Sequence, residues 1–522
     1  MALLTDYLTY ADAQVHCTSD ALWALFDGNR ERMNIAHECV DRHAGTGRVA
    51  VIVARADGGE ECIEYATLAS DSARFAHLLQ ARGVAPGDRV AVMLEPSRAF
   101  YACLFGAMKL GAVAVPLFTL FGPDALRLRL QDCAARLLVT NFSRAPLLTE
   151  LSGFEVLTIT EFDDPGLDRL LERFPTHFAS ATRADDLAIF QYTSGTTREL
   201  PEAVRHTHRA LVTLMLAALY GSGLRPGDRF FCPSSPAWGH GLWHGTLAPL
   251  ALGLTIGAYA GRFDSVRLLE VLSRHRFNNI AAAATHYRMI RNAGVAQQFP
   301  LSIDKLSFTG EPLDSETADF LYRYTGHEAA SMYGTTEVGV VLVSYPGAPD
   351  FEVRRGSLGK PVPGVQVSVR DAAGNECPPG VTGELAVLRR GTWIPTRDLG
   401  HMDDDGYFYH GGRADDVIIS AGWTMSAVEI EDTLLRHPLV LEAAAIGVPD
   451  AVRGQVVRAY LVCRTEGNAA LVETLQEFVR TRLSMHEYPR QIRFVDELPK
   501  TPAGKVNRRA LREAAAAATI PE

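Results

Sequence analysis

Lysine is scarce in this chain: only five of its 51 basic residues are lysines, Lys109, Lys305, Lys360, Lys500 and Lys505. Arginine is the ordinary cation here, so any lysine is worth following. Cysteine pairing is also missing, because the eight cysteines lie far apart without a Cys-x-x-Cys pair. A chain of this size needs no disulfide scaffold, and buried or incidental thiols are expected. The start, Met-Ala-Leu-Leu-Thr-Asp, has no basic region followed by an apolar core, so no secretory signal is expected. The longest apolar stretch, 101 to 118, contains Lys109, two glycines and Pro116. It fails the requirement of about 20 apolar residues for a spanning helix. An excess of basic charge is absent too: 51 basic against 61 acidic residues give −10, which excludes a general polyanion binder and argues against nucleic acid as a partner. A soluble cytoplasmic protein with no membrane insertion is expected.

What is present is length and apolar content. The 522 residues predict three or four structural units at roughly 100 to 200 residues each, which excludes a small binding module. With 47% apolar and 21% charged residues the chain reads as globular. An internal echo links Gly-Val-Ala-Pro-Gly-Asp-Arg-Val (83 to 90) with Gly-Leu-Arg-Pro-Gly-Asp-Arg-Phe (223 to 230). Each copy follows a helix-like stretch and enters an apolar run, then reaches a Leu-Gly pair (110 to 111, 252 to 253) and a second apolar run. That order describes βαβ units, and two copies predict two doubly wound α/β layers.

After Tyr345 short alternating runs such as 365 to 370 and 383 to 388, separated by Pro-Gly and Asp-Gly turns, predict an antiparallel β subdomain ending near 412. From Asp415 onward a strand (417 to 420), a helix (427 to 436), further strands and a helix (469 to 483) predict a small α+β unit. The domains are therefore expected at 1 to 414 and 415 to 522, joined by a tight hinge without a low-complexity linker.

The sharpest local signal is Tyr192-Thr-Ser-Gly-Thr-Thr197 after the apolar run 187 to 190. Small hydroxyl residues around a glycine, directly after a strand, offer N–H groups and hydroxyls to phosphate oxygens, although alone they also fit an ordinary Ser/Thr turn. A Walker A loop is excluded, because the Gly-Lys-Ser/Thr ending is missing. Further along come Thr309-Gly-Glu-Pro-Leu313, Tyr333-Gly-Thr-Thr-Glu337, Thr396-Arg-Asp398, Gly411-Gly-Arg-Ala-Asp-Asp416 and Pro499-Lys-Thr-Pro-Ala-Gly-Lys505. In this order, over about residues 30 to 512, the set resembles the adenylate-forming enzymes: acyl-CoA synthetases, nonribosomal-peptide adenylation domains and luciferases.

The resemblance implies a large N-terminal domain and a small mobile C-terminal domain that carries the catalytic lysine. It assigns Thr193, Ser194, Gly195, Thr196 and Thr197 to the ATP phosphates, Gly310, Glu311 and Pro312 to the border of the adenine, and Tyr333 to stacking near it. Thr336 would contact the α-phosphate and Glu337 would help to hold Mg²⁺, a hard cation suited to carboxylate and phosphate oxygens. Asp398, assisted by Arg413, would bind the ribose hydroxyls. Lys505 would neutralise the substrate carboxylate and α-phosphate as the anhydride forms. A solvated lysine in the basic tail 505 to 512 is the local alternative. Asp415 falls at the family hinge, Gly422 in the thioester tunnel, and Arg480 is a candidate for the CoA phosphates or a solvent-facing helix arginine.

Three positions depart from the family. The phosphate loop usually continues Gly-x-Pro-Lys-Gly, but here it reads Arg198-Glu-Leu-Pro-Glu-Ala203, so Glu202 reverses the charge of a lysine. Either Arg198 or Arg205 supplies the cation, or Glu202 points away. Arg397 stands for the glycine of Thr-Gly-Asp, and Thr424 for an arginine after Gly422. The Gly-Trp-Thr-Met-Ser run is similar to the benzoate-CoA ligase type. Acetate-specific relatives carry tryptophan where this chain has Gly334, so a larger acid is expected, walled by Trp238 and His240 unless these are structural. The resemblance implies conversion of a medium-sized acid (aromatic, alicyclic, branched or medium-chain) to acyl-AMP with ATP and Mg²⁺, then to acyl-CoA with CoA. A stand-alone enzyme loading a carrier protein and a non-catalytic nucleotide-binding relative are the alternatives, and a homodimer is allowed.

Overall fold

A computed structural model describes residues 2–149, 151–162, 165–192, 203–335, 338–413, 418–420, 423–425, 427–450, 454–483, 488–501 and 504–517. The chain divides into two compact units: residues 1–282, 295–306 and 346–351 in one, 283–294, 307–345 and 352–522 in the other.

The first unit holds two α/β layers, as the echo predicts. One sheet runs Glu155–Thr158, Leu137–Thr140, Arg89–Met93, Val113–Pro116, Leu187–Gln191 and Val204–Thr207, parallel except for the last strand. The other runs from Asn279–Ala283 through Arg229–Phe231, Thr255–Ala260 and Val49–Arg55 to Glu60–Glu64, again antiparallel only at the final pair. The two copies of Pro-Gly-Asp make the same turn. Asp88 accepts from the Ala85 N–H at 2.9 Å and Asp228 from the Arg225 N–H at 2.9 Å. Gly87 and Gly227 take φ of +85° and +95°, a region that glycine enters without a Cβ clash. Each turn therefore delivers a strand to the middle of a parallel sheet.

The apolar stretch 101 to 118 is a buried helix and strand. Helix Arg98–Leu110 ends on Gly111 at φ +83° and returns as Val113–Pro116. Lys109 in it is 2% exposed, with Nζ 2.5 Å from Asp41 Oδ1. Among the described residues no helix is long and apolar enough to cross a membrane. All eight cysteines are free thiols.

In the second unit the strands Gly339–Val343, Ser357–Pro361, Val367–Arg370, Gly383–Arg389, Thr392–Met402 and Phe408–Arg413 pair antiparallel, around Leu342, Leu385, Val387 and Phe408. Val440–Asp450 and Gly454–Cys463 pair antiparallel, and Gln491–Phe494 adds in parallel. Strand alternation explains why both faces of this small sheet are covered. Ala443, Ala445, Val457, Ala459 and Leu461 meet Ile430, Leu434, Leu471 and Leu475 of helices Ala427–Leu435 and Ala469–Arg480. Their neighbours Ala444, Ile446, Val448 and Val456 meet Leu511 and Ala515 of helix Arg508–Ala517.

Candidate active site

The segment expected to border the adenine is built by a strand that stops at a glycine. Strand Lys305–Thr309 ends at Gly310, φ +97°, and helix Ser315–Thr325 begins five residues on, capped by Asp314, which accepts from the Thr317 N–H at 2.9 Å. Arg288 and Arg291 grip the same carboxylate at 3.0 and 2.9 Å. Burial would raise the Asp314 pKa, but the two guanidiniums outweigh it and hold it below the usual value. Glu311 faces inward as well: it accepts from the Thr285 hydroxyl, with Arg288 Nη1 at 3.8 Å. Its side chain therefore ties this turn to Thr285 and Arg288.

Lys505 comes to this segment on a tight loop. The Thr501 N–H donates to the Lys505 carbonyl at 2.7 Å, the Gly504 N–H to the Thr501 carbonyl at 2.8 Å, and Gly504 takes φ +83°. The Gly504 carbonyl lies 3.3 Å from Thr285 Oγ1, whose hydroxyl also reaches Glu311. Two motifs nearly 200 positions apart thus share one threonine, a residue that sequence reasoning missed because nothing local distinguishes it. A second contact lies beside the first. Asp432 Oδ1 accepts from the Ser315 N–H at 2.8 Å and from its hydroxyl at 3.0 Å, and Arg436 Nε donates to Ser315 Oγ at 3.0 Å.

Asp398 is 5% exposed and stands opposite Arg413 in the register of strands Thr392–Met402 and Phe408–Arg413. The Tyr333 hydroxyl donates to Asp398 Oδ2 at 2.6 Å, and His410 Nε2 is 3.7 Å from Oδ1. Tyr333 therefore reaches, through its hydroxyl, the carboxylate expected to bind ribose, a contact beyond the stacking expected of its ring. His410, one residue before the Gly411-Gly-Arg413 motif, is a further member that its position beside that motif would have revealed. Arg397 occupies φ +64°, the left-handed region that costs a non-glycine residue roughly 1–2 kcal/mol. Glycine enters that region without a Cβ clash, and this chain holds an arginine there.

The expected acyl wall belongs to the first unit. Trp238 packs against a core that includes Phe190, Tyr192 and Ala237, and its ring meets His240 edge-on at 5.3 Å. His240 is 4% exposed, with Nδ1 3.0 Å from Ser234 Oγ, and opens the π-helical turn His240–Leu247. Such turns often occur at functional sites. In the second unit Gly334 has a local reason to lack a side chain: a Cβ there would stand 2.1 Å from the Gly339 carbonyl oxygen. That close approach requires glycine independently of any acid.

Arg205, on strand Val204–Thr207, is exposed and lies over the Phe190 ring, 5.2 Å from its centroid. Arg480 is half-buried and pairs with Glu477 on its own helix. Thr193 to Thr197, Arg198, Glu202, Thr336, Glu337, Asp415 and Gly422 lie outside the described residues, as do the side chains of Arg413 and Thr424. Among the described residues no group of three or more His, Cys, Asp and Glu side chains could hold a metal ion.

The glycine-ended strand at Gly310, the buried Asp398 carboxylate with the Tyr333 hydroxyl, and the Lys505 loop stand at the motifs expected of an adenylate-forming enzyme. The chain belongs to the AMP-binding enzyme family, whose main part matches residues 39–393 and whose C-terminal domain matches 429–505, and within it to the acyl-CoA synthetases. It is 30% identical to the acetyl-coenzyme A synthetase of Bacillus subtilis strain 168, over 92% of this chain and 90% of that one. It is 32% identical to a 3-hydroxybenzoate–CoA ligase of Aromatoleum sp. strain CIB, over 87% and 92%. The crystal structure of an anthranilate CoA ligase with anthranoyl-AMP superposes with a TM-score of 0.85 at 26% identity, covering 97% of this chain and all of that one.

Proposed function

We propose that the chain activates a medium-sized carboxylic acid, aromatic, alicyclic or branched, with ATP, giving acyl-AMP and pyrophosphate, and then transfers the acyl group to the thiol of CoA with release of AMP. A carboxylate is a poor electrophile because its oxygen is a poor leaving group, and adenylation supplies a good one. The observation that carries this reading is the meeting of the Lys505 loop with the Glu311 turn through Thr285. A point charge there neutralises carboxylate and α-phosphate as they approach.

In this reading Asp398, held by Tyr333, accepts from the ribose hydroxyls, and the backbone of Gly310 to Pro312 borders the base. Thr193 to Thr197 hold the phosphates and Thr336 the α-phosphate. Mg²⁺, with Glu337 as its protein carboxylate, neutralises phosphate charge when bound. The domains divide at 414/415 with Asp415 as hinge; turning of the small domain brings Gly422 to the CoA tunnel, with Arg480 near the CoA phosphates. Relatives named for 3-hydroxybenzoate and anthranilate support an aromatic acid walled by Trp238 and His240. A homodimer in the cytoplasm completes the proposal.

Incubation with ATP, Mg²⁺, a panel of acids and either CoA or none, following pyrophosphate, AMP and thioester, tests it. Pyrophosphate, AMP and thioester together are expected. Pyrophosphate without CoA turnover would indicate carrier loading, and no pyrophosphate with any acid an inert nucleotide-binding relative.

A further inference from the structure

Gln191, 5% exposed, is the last residue of the parallel strand Leu187–Gln191, and ligands of open α/β sheets bind at such carboxyl ends. Its amide orientation is fixed by chemistry. The Trp243 indole nitrogen can only donate, and it lies 2.9 Å from Gln191 Oε1. The other atom, Nε2, is therefore an N–H donor, and among the described residues it is buried without a hydrogen-bond partner. The amide sits against the expected acyl wall, for a methyl group at Gly239, between Trp238 and His240, would stand 3.5 Å from Oε1 and 3.6 Å from Nε2.

A second orphan lies on the same turn. Among the described residues His244 Nδ1 is buried without a partner, and its ring is 6.0 Å from that of His240. Burial lowers the His244 pKa to about 4, so the imidazole is neutral at physiological pH. An unpaired buried polar atom costs roughly 1–3 kcal/mol, and two beside one wall call for an occupant that pairs them.

We infer that Gln191 and His244 are specificity residues and that the acid carries a hydroxyl group on its body. A hydroxyl oxygen accepts from Gln191 Nε2, and its proton matches a neutral imidazole nitrogen; an unsubstituted ring or alkyl chain leaves both atoms unpaired. This rests on the ligase reading above and narrows its substrate class.

The test compares kcat/KM for benzoate and its 2-, 3- and 4-hydroxy derivatives, and for cyclohexanecarboxylate and its hydroxy derivatives, in the wild type, Gln191→Met and His244→Phe. The wild type is expected to favour one hydroxylated acid over its parent by at least about tenfold, since a site built to hydrogen-bond a hydroxyl rejects the analogue lacking it. Each substitution should bring that ratio below about threefold. The ratio is internal to each variant, so a general folding defect moves both acids together. A wild-type ratio below threefold for every hydroxy isomer, as with a bound water alone at these atoms, overturns the inference while leaving the ligase reading intact. So does an undiminished ratio in both variants. No pyrophosphate from any acid defeats the ligase reading and the inference with it.

Discussion

Asp432→Ala should slow adenylate formation while sparing thioester formation. Asp432 accepts two hydrogen bonds from Ser315, at 2.8 and 3.0 Å, and Ser315 opens the helix Ser315–Thr325. The carboxylate thus sits against the positive end of that helix, an interaction of about 0.3–1 kcal/mol, and a hydrogen bond to a charged acceptor adds roughly 1.5–3 kcal/mol when buried. The Asp432 side chain is 25% exposed and its partner Arg436 48%, so solvent screens part of this. About 2 kcal/mol remains, which is at most a ~30-fold shift in the docking of the small layer at 1.4 kcal/mol per tenfold. Adenylation, followed by pyrophosphate release in single turnover, is expected to fall about 5- to 30-fold. Thioester formation from supplied acyl-AMP, which in the proposed turning of the small domain uses the other orientation, should be unchanged or faster. Asp432→Asn, which keeps an acceptor and loses the charge, should fall between. Equal losses in both half-reactions, or none in either, would refute the role of this contact.

Tyr333→Phe removes the donor to Asp398 at 2.6 Å and should raise KM for ATP several-fold with a smaller change in kcat, measured by steady-state titration. Arg397→Gly should stabilise the protein by roughly 0.5–1 kcal/mol in urea unfolding, since relief of the +64° strain exceeds the entropy glycine adds to the unfolded chain. Stability should also fall as pH drops from about 6.5 towards 4. Burial lowers the His208 pKa to about 4, and its Nδ1 accepts from the Ile35 N–H at 3.1 Å. The unfolded histidine binds a proton below its ordinary pKa of about 6.5 and the folded one does not, so up to ~3 kcal/mol is lost across that window. His208→Gln should flatten the profile of melting temperature between pH 7 and 5.

The repeated Pro-Gly-Asp turn and the alternating runs after Tyr345 made the layers legible, because turn geometry and strand period are local properties. Long-range partners were not legible. Thr285, Arg288 and Asp432 come to the site only by folding, and no spacing marks them, whereas His410 stands directly before the Gly411-Gly-Arg413 motif. The scarcity of lysine reads differently beside the structure. Lys109 and Lys305 are inward-facing point charges, each on one aspartate at 2.5 and 2.6 Å, and Lys500 pairs with Glu442 at 3.0 Å. Lys109 and Lys305 thus use lysine as a compact charge on a long stem, the property that the role proposed for Lys505 also needs. Gly334 runs the other way: a feature read as an open pocket floor has a backbone contact as its immediate cause.

The central claim is that Lys505 serves the first half-reaction. Lys505→Ala should lower acyl-AMP formation from acid and ATP by at least about a hundredfold, in keeping with loss of a preorganised charge. Thioester formation from supplied acyl-AMP and CoA should change less than about threefold. Equal losses in the two half-reactions would contradict the account.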